Sequence, residues 1–182
     1  RAIFEELVRR GDGRRLVWAV EHHGVEVPDG VETVVVGSRD YYRALGRARS
    51  VISNDSMPKH YVKRSGSVYG QTWHGTPLKR IGFDIENLQM SNQNYLVQFE
   101  KEVAKWDALI SPNAYSTEIF RRAFRFDGPV LETGYPRNDV FHRPQERAER
   151  TVKAAARLGI EPGKRVILYA PTWRDNQFDR SG

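Results

Sequence analysis

The sequence has 182 residues, no cysteine, and a formal net charge of +6 from 29 basic and 23 acidic side chains. Without cysteine, disulfide frameworks, thiolate nucleophiles and cysteine-based zinc sites are excluded, which fits a reducing compartment. No stretch approaches the roughly 20 apolar residues of a membrane-spanning helix, and the first residues lack the apolar core of a signal peptide. The chain begins with Arg1 rather than Met, so we expect the numbering to start inside a larger protein.

The positive charge is spread along the chain, which leaves several interpretations open. Three kinds of partner would match this charge: nucleic acid, an anionic membrane or a phosphorylated substrate. The alternative is that the charge merely keeps the surface soluble. The basic pairs Arg14-Arg15 and Arg121-Arg122 are short, and no recognition helix or zinc-finger pattern accompanies them. We therefore expect no nucleic-acid partner.

Short β-branched and apolar runs alternate with amphipathic segments along the chain. The predicted strands are residues 16–20, 33–36, 51–54, 67–72, 108–110, 130–133 and 166–169. The predicted helices are a first one before Gly11, then 40–49, a long one within 87–105, 114–122 and 145–158. This alternation is typical of βαβ units, and runs so apolar suit strands buried on both faces. The sequence therefore predicts an α/β fold with a Rossmann-like parallel sheet.

Start and stop signals suggest where the elements end. Asp40 is placed to cap the second helix, and Gly159 to end the last one before the turn Glu161-Pro162-Gly163. We take that turn as a domain boundary. Residues 1–160 then form one Rossmann-like domain, and residues 164–182 form the first strand and loop of a second domain.

The segment Trp73-His74-Gly75-Thr76-Pro77 leaves the carboxyl end of the predicted strand 67–72, where open parallel sheets bind ligands. His74 can exchange a proton near neutral pH. Gly75 lets a ligand approach the backbone, Thr76 offers a hydroxyl, and Lys79 is suited to phosphate. Such a set activates a hydroxyl and neutralises phosphate charge; the alternative is a turn with a solvated lysine.

Three other loops follow predicted strands in the same way. After 166–169, Thr172 and Arg174 offer a hydroxyl and a fork of donors for phosphate, or a surface Arg–Asp pair. After 130–133, Gly134 allows a tight turn, and Arg137 lies in a polar cluster that faces the cleft of His74 or caps local structure. The loop from Ser53 to Pro58 is a weaker candidate.

Other common sites are not predicted. His22 and His23 are adjacent and lack the i, i+4 spacing of a helical metal site, and no metal is expected there. The sequence contains no dinucleotide-binding glycine motif, Walker lysine loop or nucleophile elbow. These absences argue against standard dinucleotide enzymes, P-loop ATPases and α/β-hydrolases.

Three motifs in order, QTWHGTPLK at 71–79, TGYPRND at 133–139 and YAPTWRD at 169–175, resemble the CDP-glycerol glycerophosphotransferase family, the teichoic-acid primases and polymerases. The resemblance covers about residues 50 to 176. It implies two Rossmann-like domains facing across a cleft, the GT-B arrangement, of which this chain is the N-terminal domain and the start of the second. It also implies transfer of glycerol phosphate from CDP-glycerol to a hydroxyl of a membrane-linked polymer, with release of CMP.

By the same resemblance, His74 is the general base and Thr172 and Arg174 lie near the donor phosphates. The implied partners are CDP-glycerol, a lipid-linked anionic polymer and an anionic membrane surface, with no cofactor and no metal. The implied location is cytoplasmic and peripheral, on the inner face of the cell membrane. The family carries a second functional histidine and most nucleotide contacts in the half that follows, so we expect this chain to be inactive alone.

Several alternatives remain at this stage. The donor is a glycerol or a ribitol nucleotide, because related enzymes use either. Two other functions are alternatives. One is a sugar-nucleotide glycosyltransferase of the same GT-B architecture, and the other is a non-catalytic module that binds an anionic polymer through its basic surface.

Overall fold

The computed structural model describes residues 1–86, 93–161 and 163–170. The chain forms two compact units, Arg1–Asp139 and Val140–Gly182. All the strands of the described residues lie in the first unit. The predicted domain boundary near residue 160 stays a prediction.

The helices and strands follow one another in the predicted order. The helices are α1 (Ala2–Arg9), α2 (Arg39–Arg47), α3 (Gln93–Val103), α4 (Ala114–Phe124) and α5 (Pro144–Arg157), with 3₁₀ helices at Gly82–Asp84 and Pro136–His142. The strands are β1 (Val17–Val20), β2 (Glu32–Val35), β3 (Ser50–Ser53), β4 (Val68–Gln71), β5 (Ala108–Ser111) and β6 (Val130–Glu132). Each predicted helix and the first six predicted strands are present, with ends displaced by a few residues.

All the strand pairs are parallel, which confirms the predicted α/β fold class. The strands form two sheets, β1-β2 and β3-β4-β5-β6. A cavity of about 1320 Å³ is lined by residues of β1 and β3 and by side chains from α1, α2 and α3. The apolar pattern identifies strands, but it does not say which strands exchange hydrogen bonds.

The core of the first unit lies on one face of the four-stranded sheet. Tyr69 and Leu109 on the central strands and Phe120 and Phe124 on α4 are almost completely buried. Phe120 and Phe124 stack with ring centroids 5.0 Å apart, as expected for residues four apart on one helix face. This aromatic core supports β4 and therefore the loop that follows it.

The opposite face of the sheet is more open than predicted. Ile52, Val68 and Leu131 are each about half exposed, at 53%, 53% and 49%. Thus the prediction that the strands are buried on both faces is wrong for the four-stranded sheet. Apolar runs do not distinguish a doubly covered strand from one covered on a single face.

Two local predictions concern helix ends. Ser38, not Asp40, caps α2: its backbone is extended, and its Oγ accepts a hydrogen bond of 3.1 Å from the Tyr41 amide. Asp40 lies inside the first turn, where its negative charge interacts favourably with the helix dipole and its carboxylate pairs with Arg43. Gly159 follows the last helix with a φ of +65°, as predicted for a residue that ends a helix.

Residues 163–170 form no strand, and the side chains from Val166 to Tyr169 are exposed. A strand needs the hydrogen bonds of a neighbouring strand, and none of the described residues supplies them here.

Among the described residues, none of the helices has the length and apolar character needed to cross a bilayer.

Candidate functional site

The candidate site lies where the four strands of the larger sheet end. Because all four are parallel, their carboxyl ends, Ser53, Gln71, Ser111 and Glu132, lie at one edge. The amide of Thr72 donates to the carbonyl oxygen of Ser53 at 2.9 Å, so the loops after β3 and β4 begin side by side. The sheet topology thus brings together loops that lie far apart in the sequence.

The side chain of His74 is exposed, and its ring makes one hydrogen bond among the described residues. Its Nδ1 lies 2.8 Å from the carbonyl oxygen of Asn54, in the loop after β3. Since a carbonyl oxygen only accepts hydrogen bonds, Nδ1 carries the proton. Within the described residues, Nε2 has no hydrogen-bond partner, so in the neutral form of the ring Nε2 is the nitrogen that can accept a proton.

Trp73 fixes the plane of the His74 ring. The two rings stack with centroids 4.4 Å apart and an interplanar angle of 21°. The other side of the indole belongs to the core, with its centroid 4.7 Å from that of Phe124. Trp73 has a φ of +53°, an unfavourable backbone conformation for a bulky residue, and its amide donates to Gln71 Oε1 at 2.8 Å. The loop therefore stores local strain next to His74, as functional loops often do.

The loop after β6 contacts the His74 loop directly. Tyr135, which is 6% exposed, donates its hydroxyl to the carbonyl oxygen of Gly75 at 2.8 Å. Arg137 Nη1 donates to the carbonyl oxygen of His74 at 3.1 Å, and its guanidinium lies 4.5 Å from the centre of the Tyr135 ring. Burial raises the pKa of Tyr135, so its hydroxyl keeps its proton as a donor.

A tight turn makes this contact possible. Gly134 has a φ of +80°, as predicted for that glycine, and its amide donates to the carbonyl oxygen of Ser111 at 3.2 Å. The chain therefore folds back toward β5 before Tyr135. A glycine is needed here because other residues adopt this φ only with strain.

The remaining predicted residues of the His74 loop lie at its surface. Thr76 and Lys79 are exposed, and a Cβ on Gly75 would meet no atom within 4 Å. The packing therefore does not demand a glycine at position 75, and the open space beside it fits close approach of a ligand. Arg80, the neighbour of Lys79, pairs with Glu86.

Two predicted phosphate-binding residues, Thr172 and Arg174, lie outside the described residues. Three contributors to the site were not predicted as site residues: the carbonyl oxygen of Asn54, the hydroxyl of Tyr135 and the side chain of Gln71. From its position after a strand, the loop containing Asn54 is only a weak candidate in the sequence. A backbone carbonyl has no residue-type signal, so the sequence pattern alone did not reveal its role.

Comparisons with known proteins agree on one family. The family model for CDP-Glycerol:Poly(glycerophosphate) glycerophosphotransferase matches residues 1–181. The chain is 41% identical over 189 residues to the teichoic acid poly(glycerol phosphate) polymerase of Bacillus spizizenii, covering 100% of this chain and 48% of that protein. It is 40% identical over 188 residues to the teichoic acid glycerol-phosphate transferase of Staphylococcus aureus, again covering 100% of this chain and 48% of the relative.

A solved structure of the wall teichoic acid polymerase TagF has the same fold, with a TM-score of 0.89 and 40% identity over 97% of this chain and 44% of that chain. A TagF variant soaked with CDPG matches with a TM-score of 0.90 at 39% identity, over 97% of this chain and 44% of that one. The chain therefore spans about half the length of these relatives. The resemblance carried by the three motifs is confirmed, and the chain belongs to the CDP-glycerol:poly(glycerophosphate) glycerophosphotransferase family.

Proposed function

We propose that the full-length protein transfers glycerol phosphate from CDP-glycerol to a hydroxyl of a membrane-linked polymer of teichoic-acid type and releases CMP. Family membership and the names of the relatives support glycerophosphate transfer as the reaction. The CDPG-soaked TagF supports CDP-glycerol as the donor. In this chain, the proposal is carried by the hydrogen bond between His74 and Asn54, because it makes Nε2 the basic atom.

In this reaction, Nε2 of His74 takes the proton of the acceptor hydroxyl, and the oxygen of that hydroxyl attacks the phosphorus that bears glycerol. A bond forms between the acceptor oxygen and that phosphorus. The bond from the same phosphorus to the oxygen it shares with CMP breaks, and CMP leaves with the electron pair. The Asn54 carbonyl oxygen still accepts from Nδ1 and stabilises the imidazolium that forms.

Cationic and polar groups around His74 bind the phosphates in this proposal. A guanidinium has five N–H donors, and Arg137 uses one of them on the His74 carbonyl oxygen. Arg137 is exposed, so its other donors are available to an anionic substrate. Gly75, Thr76 and Lys79 take the same role from the His74 loop, and Thr172 and Arg174 take it from the part of the chain after residue 170.

The whole enzyme is proposed to have the two-domain GT-B arrangement. Residues 1–160 are the acceptor-side domain, and the chain from 164 onward begins the nucleotide-binding domain. This chain alone then lacks half of the cleft and is inactive. The net charge of +6 favours a peripheral position on the anionic inner face of the cell membrane, near a lipid-linked anionic acceptor.

The test is release of CMP from CDP-glycerol by the full-length protein with a lipid-linked or synthetic glycerol-phosphate acceptor. We expect acceptor-dependent release, and a fall of about 100-fold or more in kcat for His74→Ala, the usual contribution of a general base. The matched control is His23→Ala, since His23 is also exposed but lies outside the site. It should retain wild-type turnover.

Parallel assays with CDP-ribitol and a sugar nucleotide separate the alternatives. Preference for CDP-ribitol would change the alditol and keep the mechanism. Turnover of only the sugar nucleotide would identify a glycosyltransferase. Polymer binding without turnover of any donor would identify a binding module. A loss of less than tenfold in His74→Ala would remove His74 as the general base.

A further inference from the structure

A buried carboxylate lies behind the candidate site and contacts both strand β4 and the loop after β3. Glu102 of α3 is 3% exposed. Its Oε1 accepts from the Tyr69 hydroxyl at 2.8 Å and from the Met57 amide at 3.1 Å, while Oε2 pairs with Lys105 at 3.0 Å. A buried carboxylate is costly unless it is hydrogen-bonded, and this one has several donors.

One branch of this network leads to the loop after β4. The Tyr69 hydroxyl accepts from Gln71 Nε2 at 3.2 Å, and Gln71 Oε1 accepts from the Trp73 amide at 2.8 Å. Tyr69 and Gln71 are both completely buried. The chain of hydrogen bonds ends at the residue with the unfavourable φ, whose indole stacks on the imidazole of His74.

The other branch leads to the loop after β3. Met57, whose amide donates to Glu102, is three residues from Asn54, whose carbonyl oxygen accepts from His74. Gln71 Nε2 also lies 3.3 Å from the carbonyl oxygen of Asp55, which ties the two loops together. Glu102 thus contacts the loop of Asn54 directly, and it reaches Trp73, which sets the ring plane of His74, through Tyr69 and Gln71.

We propose that Glu102, acting through Tyr69 and Gln71, is a positioning residue for His74. This inference rests on the proposed function of His74. Glu102 does not touch the substrate; it holds the loops of Asn54 and Trp73 so that Nε2 is the basic nitrogen and has a fixed direction. Displacement of a catalytic group by about 1 Å costs on the order of 100-fold in rate, so loss of this support should reduce kcat.

The first test is Glu102→Gln in the full-length enzyme. This substitution keeps the size and one oxygen of the side chain but removes its charge, which weakens its bonds with Tyr69 and the Met57 amide. We expect kcat to fall about 10-fold or more, within the cost of displacing a catalytic group, with an unchanged apparent KM for CDP-glycerol. Tyr69→Phe removes only the hydroxyl between Glu102 and Gln71 and should produce the same split. It also keeps the test valid if Glu102→Gln does not fold.

Asp107→Asn is the matched control. Asp107 accepts from the Tyr69 amide at 2.6 Å and pairs with Lys63, so it also supports β4, but near the amino end of the strand, away from His74. It should lose stability without a comparable loss of kcat. If Asp107→Asn and Glu102→Gln reduce kcat equally, the network is only structural and the inference is overturned.

A double variant tests whether Glu102 acts through His74. In the His74→Ala background, Glu102→Gln should cause little further loss, because residues acting as one unit are not additive. A full additional loss in the double variant would contradict the proposal. Nitrogen-15 spectra of histidine-labelled enzyme should show one neutral tautomer for His74 and a mixture in Glu102→Gln; an unchanged spectrum would also overturn the inference.

The same experiments separate this inference from the proposed function. If His74→Ala retains activity, the function proposed for His74 fails. If His74→Ala is inactive but Glu102→Gln and Tyr69→Phe keep wild-type kcat, only the positioning role fails.

Discussion

Tyr135 donates its hydroxyl to the carbonyl oxygen of Gly75 at 2.8 Å, and this contact joins the loop after β6 to the loop after β4. Tyr135→Phe removes the hydroxyl and leaves the ring in place. We expect the free energy of unfolding to fall by about 1 kcal/mol, the usual net value of one hydrogen bond, as measured by urea denaturation. Tyr115→Phe, at a position that is 55% exposed, is the control and should change it by less than about 0.5 kcal/mol. Equal stability of Tyr135→Phe and wild type would show that the contact contributes nothing.

Arg137 tests the proposed binding of phosphate beside His74. Arg137→Lys keeps the charge but loses the planar fork of donors. We expect the apparent KM for CDP-glycerol to rise about 10-fold, which corresponds to one charge-assisted hydrogen bond, with a smaller change in kcat. Steady-state kinetics of CMP release measures both, with the exposed Arg39→Lys as the control. An unchanged KM would remove Arg137 from the donor site.

The sequence predicted the fold class and most elements because their signals are local. Apolar runs, Gly159 and the alternation of strands with helices all depend on residues close together in the chain. Strand pairing depends on residues far apart, so the division into two sheets was not predicted. The cap of α2 was misplaced by two residues because Ser38 and Asp40 both suit that role and only the backbone geometry decides between them.

The sequence also predicted part of the arrangement of residues around His74. The position of His74 after a strand and the parallel topology together brought Arg137 near it, as expected. The contact of His74 with the Asn54 carbonyl oxygen and the network behind Trp73 depend on tertiary structure. In the sequence, Gln71 is a polar residue in a strand and Glu102 is an acidic residue in a helix. Neither pattern indicates that the side chain is buried.

Alanine substitutions at Gly82 and Gly75 should differ strongly in their effect on the free energy of unfolding. Gly82 has a φ of +52°, and a Cβ there would lie 2.3 Å from the carbonyl oxygen of Ala123 and 2.9 Å from Phe99 Cε1. Gly82→Ala should therefore lower the free energy of unfolding by about 2–4 kcal/mol, from backbone strain and overpacking. Gly75→Ala should leave stability within about 0.5 kcal/mol, because its Cβ meets open space.

Gly75→Ala should nevertheless impair CMP release, because the added methyl group occupies the space proposed for the ligand. Thermal or urea unfolding of both glycine variants, together with kinetics of Gly75→Ala, checks the pair. A stable Gly82→Ala would contradict the packing around Ala123. A fully active Gly75→Ala would place the ligand elsewhere.

The pH dependence of stability should include a contribution from Asp107. Burial alone would raise the pKa of this carboxyl, but the hydrogen bonds from Lys63 and the Tyr69 amide outweigh it and lower the pKa from its ordinary value of 3.8. The folded state then binds fewer protons than the unfolded state, so this contribution is present above about pH 4 and is lost as the pH falls through the folded pKa. The difference in unfolding free energy between wild type and Asp107→Asn should be largest near neutral pH and shrink in acid. Lys63→Met should remove much of the same pH-dependent part, and a difference that stays constant from neutral pH into acid would show that the Asp107 pair does not titrate with folding.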